Sequence, residues 1–314
     1  MDEGALNAAR FGLTALQNLG FAVLVGTLFS DSWLKRSPSA WQAGVTLTLA
    51  MTFRVAAIAA LTASVLYFWI HCAQMADAPL WQAWPAVVSM LRATEFGYAW
   101  AASALLLLTV VALAFCPWES QSPSLRGALW MALLGAALAR SHGGHPVDAG
   151  AFSLPVWIDW AHLLAISAWV GLVYAAAFIV MPRLIGQSAA DRTNGAKYVQ
   201  ALSNAATYAL AVLVVTGTYN GWRSVDQPAN LLGTTYGRLL LLKLAFVFSA
   251  AALGAHNRFF EMADLLAALK QSSAVDTART NRRFVGVLRI EAVVLTAAIL
   301  VAAVLVASPL PGTE

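Results

Sequence analysis

Residues 156–181, VWIDWAHLLAISAWVGLVYAAAFIVM, decide the fold class of this chain. A helix crosses the hydrocarbon core of a bilayer with about 20 mostly apolar residues, and Asp159 is the only charged residue of this run. The rest of the chain agrees, since 60% of its 314 residues are hydrophobic and 11% are charged. Soluble domains carry about 25% charged residues. We therefore expect an all-α integral-membrane protein.

Eight such runs follow one another, and we expect a single helical membrane domain over residues 1–314. The runs lie at about 10–30, 44–70, 95–115, 125–141, 156–181, 199–220, 237–257 and 285–307. Pro79 to Thr94 is rich in tryptophan and is predicted to form an interfacial helix or loop, and Phe259 to Leu266 a short interfacial helix. The first run lacks a signal-peptide pattern, so we expect it to be retained.

Lysine and arginine are distributed unequally between the two sets of loops. The loops after the first, third, fifth and seventh runs hold Lys35, Arg36, Arg126, Arg183, Arg192, Lys197, Arg258, Lys270, Arg279, Arg282 and Arg283. The opposite set holds only Arg10, Arg92, Arg223 and Arg238. Because positive charge concentrates on the cytoplasmic side of a membrane, both termini are predicted to be periplasmic.

Under this topology six imidazole and sulfur side chains fall at the outer ends of their runs: His71, Cys72, Met75, His142, His145 and His162. Imidazole, thiolate and thioether together suit copper, Cu(I) above all, and zinc to a lesser degree. Gly143 and Gly144 permit a sharp bend between two of the histidines. Taken singly, each histidine also fits an interfacial residue bonded to water or backbone, and each sulfur side chain fits a packing role. The metal-site prediction depends on their coincidence at one face.

Several polar groups accompany these candidate ligands. Asp159 and His162 are three residues apart and share a helix face, so Asp159 is expected to accept the second N–H of His162. Tyr219 and Asn220 are expected to hydrogen-bond groups around the site. Lys243 is expected either to snorkel to the outer interface or to pair with Asp159 or Glu95.

Two charged residues lie deeper in their runs. A central arginine costs about 2.5–3.5 kcal/mol on membrane-insertion scales, so Arg54 is expected to pair with Glu291 or to share a polar path with it. Snorkelling of Arg54 to the inner interface is the alternative. His256, at the inner end of the seventh run, fits either interfacial packing or an exit position for the metal.

An ordered series of short motifs runs from Ser141 to Pro309. It comprises SH at 141–142, IDWAHLL at 158–164, AWVGL at 168–172, TGTYNGW at 216–222, LGTTYGRLLLLK at 232–243, NR at 257–258, RIE at 289–291 and SP at 308–309. This series resembles the copper resistance protein D (CopD) family of bacterial inner-membrane proteins over residues 141–309. Residues 1–140 match more loosely, mainly at TEFG, 94–97.

The resemblance implies copper transport across the bacterial inner membrane, generally uptake from the periplasm, beside a small periplasmic copper carrier protein. It also implies that His142 and His162 are the copper-site histidines. This chain departs from the family after His142. The family usually has small residues such as alanine there, whereas Gly143, Gly144 and then a further histidine, His145, follow here.

Two other functions fit the same residues. His142 and His162 at similar depth on neighbouring helices also suit axial ligation of a haem in a b-type membrane cytochrome. A membrane protein that binds or senses copper without transporting it is the third possibility. The sequence holds no Walker motif or phosphorylated-aspartate signature and no basic run for nucleic acid, and we expect no enzymatic activity.

Overall fold

A computed structural model describes residues 3–34, 40–116, 118, 122–184, 188–271 and 274–311 of the chain. Its principal helices are α1 (Glu3–Leu34), α2 (Ala40–Met75), α3 (Trp84–Ala93), α4 (Glu95–Ala114), α5 (Pro123–Ser141), α6 (Leu154–Tyr174), α7 (Ala189–Val225), α8 (Asn230–Gly233), α9 (Thr235–His256), α10 (Met262–Gln271) and α11 (Ala274–Val306). A π-helical stretch, Ala175–Val180, prolongs α6, and another, Asn257–Glu261, joins α9 to α10. The described residues contain no strand.

Several helices begin at a serine or threonine whose side chain accepts a hydrogen bond from the first turn. Such N-caps satisfy backbone N–H groups that have no partner inside the helix. The capping pairs are Thr94 with the N–H of Gly97, Ser122 with Leu125, Ser188 with Asp191 and Thr234 with Gly237. These residues fix where α4, α5, α7 and α9 begin.

Within the described ranges, seven helical segments are long and apolar enough to cross a membrane. They are Glu3–Leu34, Trp41–Met75, Glu95–Ala114, Leu154–Arg183, Ala189–Val225, Thr235–Gln271 and Val275–Val306. The predicted run at 125–141 forms α5, a helix of 19 residues. It is not one of the seven, because Arg126 and Arg140 near its ends lower its mean hydropathy. The interfacial segments predicted at Pro79 to Thr94 and Phe259 to Leu266 contain α3 and the start of α10.

The helices α1 and α6 have the largest buried fractions of the candidate spans, and they cross with their backbones in contact. A Cβ added to Gly171 would lie 1.8 Å from the carbonyl oxygen of Ala22, and one added to Gly26 would lie 2.0 Å from that of Gly171. Small residues permit this close approach, which maximises van der Waals contact between membrane helices. The crossing brings α6 to the centre of the bundle.

Side-chain contacts sort the helix ends into two groups, which we call the near end, where α1 begins, and the far end, where α1 ends. Near-end contacts are Arg10 with Gln74, Asn18 with Arg140, Phe68 with Trp100 and His162 with Thr216. Far-end contacts are Asp31 with Arg126, Trp41 with Asp191, Asn281 with the carbonyl of Met181 and Arg258 with Ser203. The major helices therefore alternate in direction. Lys35 and Arg36 lie outside the described residues.

The predicted ion pair between Arg54 and Glu291 is not formed. Arg54 Nε donates a hydrogen bond of 2.9 Å to the carbonyl oxygen of Ala114, the last residue of α4, and its guanidinium stacks over Phe115. This places a cation at the negative end of the α4 dipole, where the final carbonyls have no helical partner. Glu291 instead accepts a hydrogen bond from Trp169. Arg54 therefore pairs with the end of α4, whereas Glu291 pairs with α6.

Candidate metal centre

The predicted ligands all lie towards the near end of the bundle. His71, Cys72 and Met75 occupy the last turns of α2, His142 follows α5, and His162 lies two turns into α6. His145 opens the short 3₁₀ segment His145–Ala149, and its side chain lies outside the described residues. Among the side chains that the structure describes, no three or more His, Cys, Asp or Glu are grouped closely enough to hold a metal ion. The six candidates share one end without forming a closed ligand shell.

The ring of His162 packs against one turn of α7. Its Nδ1 lies 3.0 Å from Oγ1 of Thr216. The next residue of α7 is Gly217, and a Cβ added there would lie 3.3 Å from Cε1 of the imidazole. Thr216 therefore positions the ring, and the missing side chain at residue 217 leaves room for it.

The hydrogen bonds of Thr216 assign the tautomer of His162. The hydroxyl has a single proton, and it donates that proton to the carbonyl oxygen of Val212 at 2.7 Å. Its oxygen then accepts the Nδ1–H of His162. In this tautomer Nε2 carries the lone pair, and no described residue forms a hydrogen bond with it. A neutral imidazole whose second nitrogen is held this way is the form that ligates metals.

His142 reaches the same tautomer through the backbone. Its Nδ1 lies 2.9 Å from the carbonyl oxygen of Leu138, and a carbonyl can only accept, so Nδ1 carries the proton. The ring also contacts Phe152 edge-on, at 6.0 Å between centroids. In the neutral ring this arrangement leaves the lone pair on Nε2 of His142.

The three candidates on α2 have different surroundings. His71 stacks on Tyr67 and lies 5.0 Å from the ring of Phe96, and its buried Nδ1 has no hydrogen-bond partner in the described structure. Cys72 is enclosed in a small apolar cluster. Met75 is 67% exposed at the end of the helix. His71 thus retains an unused ring nitrogen, whereas Cys72 has the surroundings of a packing residue.

A group of charged side chains borders His162. Asp159 forms a hydrogen bond with the hydroxyl of Ser141 and is close enough to Arg140 and Lys243 for Coulomb attraction. Lys243 is also close enough to His162 for a Coulomb interaction with its ring. Arg140 donates to Oδ1 of Asn18, while its buried Nη1 has no partner within the described chain. The near end therefore combines two imidazoles, each held at Nδ1, with two basic side chains and one carboxyl group.

Other predicted polar contacts differ from expectation. Asp159 does not accept the second N–H of His162, because that N–H points across to Thr216 on α7. The side chains of Tyr219 and Asn220, which the structure describes, make no hydrogen bond to the site. His256 lies at the far end, 3.7 Å from Glu261.

Three residues that position the site were not assigned this role from the sequence. Thr216 and Gly217 open the motif TGTYNGW, so a signal was present in the sequence, but only the packing of α6 against α7 connects it to His162. Asn18 lies in the apolar run of α1, and nothing near it in the sequence indicates that it is the partner of Arg140.

Comparison with known proteins gives two family matches. The model described as copper resistance protein D matches residues 196–305, and the model described as copper resistance protein D-like, N-terminal domain, matches residues 1–151. Together they include Thr216, Lys243 and Glu291 in one match and His71 and His142 in the other. No solved structure matches the chain.

One curated relative agrees with these matches. The copper transport protein CutJ of Bacillus subtilis (strain 168) is 29% identical over 121 residues, which are 38% of this chain and 22% of the relative. The chain therefore spans about a fifth of the length of that relative. Residues 152–195, which include His162, lie between the two matches. Because two models of the same family match residues 1–151 and 196–305, most of its length, this chain belongs to the copper resistance protein D family.

Proposed function

We propose that the protein transports copper across the bacterial inner membrane, with uptake from the periplasm, and that Nε2 of His142 and Nε2 of His162 bind the ion. The observation that carries this proposal is the shared tautomer of the two rings. Each Nδ1–H is held by an acceptor, Leu138 O or Thr216 Oγ1, and each Nε2 is left with its lone pair. Copper here is the transported cargo, as Cu(I) or Cu(II).

The choice of copper rests on ligand chemistry and on the family. Imidazole suits copper, and sulfur ligands favour Cu(I). The curated relative bears the name of a copper transport protein. His71, with its unused Nδ1, is the next ligand candidate, followed by His145, Met75 and Cys72.

Rearrangement of the α5–α6 connection would bring the ligands together. His142 follows α5 directly, and Gly143 and Gly144 separate it from the segment that leads to α6. Phe96 contacts His71 and lies 3.6 Å from a Cβ built on Gly143. A small movement of this turn would change the separation of His142 from His162 and from His71, and we propose it as the entry gate.

The charges beside His162 would set how tightly copper is held. A copper cation near Lys243 and Arg140 is destabilised by Coulomb repulsion, which is strong where water is excluded. Asp159 offsets this repulsion. We propose that this balance keeps the ion exchangeable, so that it is bound and then released.

The proposed topology has eight crossings, with α5 as the fourth, in a single domain. The near end then faces the periplasm, as do both termini, and the far end faces the cytoplasm. Residues 141–309 would form the copper-handling part, and residues 1–140 would complete the bundle around α1. A small periplasmic copper carrier would deliver the ion to the near end.

Copper binding and uptake by the purified protein in liposomes test the proposal. We expect His142→Ala and His162→Ala each to lower copper uptake at least tenfold and to weaken binding. His256→Ala is the matched control, because this histidine lies at the far end, and it should behave as wild type. Unchanged binding and uptake in both near-end variants would contradict the site assignment. Binding without uptake by wild type would favour a copper-binding or sensing protein instead.

A further inference from the structure

A cavity of about 230 Å³ lies in the far half of the bundle, away from His162. It is bounded by α6, α7, α9, α11 and the segment that joins α9 to α10. Most of its wall is apolar. The groups that matter below are Trp169, Asn257, Arg258, Met262 and Glu291, all of which line it.

Glu291 is a buried carboxylate that forms no ion pair with any described residue. It is 2% exposed, and Oε1 accepts a hydrogen bond of 2.9 Å from Nε1 of Trp169. Arg258 lines the same cavity, but its Nη1 donates to Oγ of Ser203 at 2.6 Å and to Oγ1 of Thr207 at 3.1 Å. A carboxylate in an apolar site is costly unless a cation or a proton neutralises it.

Asn257, also in the cavity wall, carries an acceptor with no hydrogen-bond partner among the described residues. Asn257 is 4% exposed, and its Oδ1 is buried without a hydrogen bond in the described structure. Buried polar atoms are almost always paired, so an unpaired one calls for an explanation such as a bound ion. Met262, also buried, adds a thioether. Carboxylate oxygen, amide oxygen and sulfur together form a set of cation ligands, and the thioether favours a soft metal.

The cavity lies on the same helices as the near-end site. Trp169 is seven residues after His162 on α6, about 10 Å along the helix axis. On α7, Thr216 bonds His162, and Thr207, nine residues earlier, lines the cavity. Packed apolar side chains occupy the interval, among them Ile166, Leu213 and Val247.

We propose that this cavity is a second copper-binding chamber, in which Glu291, Asn257 and Met262 receive the ion after it leaves His142 and His162. The inference rests on the proposed copper transport. The carboxylate of Glu291 neutralises the charge of the copper ion, and the ion satisfies the unpaired Oδ1 of Asn257. The apolar layer between the two sites keeps the path closed when neither site is exchanging its ion.

Counting copper in variants tests the chamber. The full-length protein in detergent is titrated with Cu(I) against a chromophoric Cu(I) chelator, and uptake is measured in liposomes. Wild type should bind two equivalents. Glu291→Gln keeps the acceptor for Trp169 but removes the charge, and Met262→Leu removes only the sulfur. Each should bind one equivalent, and Glu291→Gln should lower uptake at least tenfold.

Matched controls separate this chamber from the near-end site. Glu95→Gln and Met131→Leu change exposed residues and should behave as wild type. His162→Ala should retain the equivalent that Glu291→Gln loses. If both chamber variants bind and transport as wild type while His162→Ala does not, the chamber is refuted and the proposed function stands. If His162→Ala also has no effect, the proposed function fails. Should Glu291→Gln not fold, Met262→Leu decides by its copper count alone.

Discussion

At the scale of single residues, the Thr216 hydroxyl determines which nitrogen of His162 is free. It donates to Val212 O and accepts from His162 Nδ1, so both of its hydrogen-bonding functions are used. Groups that orient a ligand histidine typically change metal affinity by about 10- to 100-fold when they are lost. Thr216 is therefore the residue through which the ligand geometry of His162 is most easily perturbed.

Replacing Thr216 with valine removes the acceptor and keeps the shape of the side chain. We expect Thr216→Val to weaken Cu(I) affinity on the order of tenfold, because the imidazole loses its fixed orientation and tautomer. Thr218→Val is the matched control, since Thr218 bonds the Val214 carbonyl in the same way but is exposed and does not contact His162. Equal affinities for the two variants in a chelator competition titration would contradict the assigned role.

At the scale of helices, hydropathy predicted where the chain is helical far better than which helices are neighbours. Each of the eight predicted runs contains a helix, because a long apolar run has few alternatives in a bilayer. The Arg54–Glu291 pair was wrong because depth along a helix does not determine its rotation or its neighbours. For the same reason, the motif that contains Thr216 could not be connected to His162 before the packing of α6 against α7 was known.

The crossing of α1 and α6 is the packing contact most sensitive to a single methyl group. A Cβ at Gly171 would meet backbone atoms of Ala22 and Gly26, which cannot move aside as a side-chain tip can. We expect Gly171→Ala to destabilise the protein by about 3 kcal/mol, the upper range for overpacking. Thermal unfolding in detergent measures this.

Gly127→Ala is the control for that substitution. Gly127 lies in α5, and a Cβ there would meet nothing within 4 Å. We expect this variant to melt at or above the wild-type temperature, because alanine favours a helix over glycine. Equal melting of both variants would show that the close crossing is absent.

At the scale of the whole molecule, the alternation of helix ends gives the topology a direct test. Ala149 is exposed in the near-end connection, and Ala190 is exposed at the far end. In a background without Cys72 and Cys116, Ala149→Cys should react with a membrane-impermeant maleimide in intact spheroplasts. Ala190→Cys should react only after the membrane is opened. The reverse pattern would invert the proposed orientation and place His162 on the cytoplasmic side.

Copper bound by the imidazoles of His142 and His162 would have a direct spectroscopic signature. X-ray absorption of the copper-loaded protein measures the ligand atoms directly, and Glu291→Gln isolates the near-end site from the proposed chamber. We expect imidazole nitrogen ligands in the spectrum of Glu291→Gln, and we expect them to disappear when His142→Ala or His162→Ala is added to that variant. A spectrum without imidazole ligands, or a purified protein that carries stoichiometric haem with a Soret band, would contradict it.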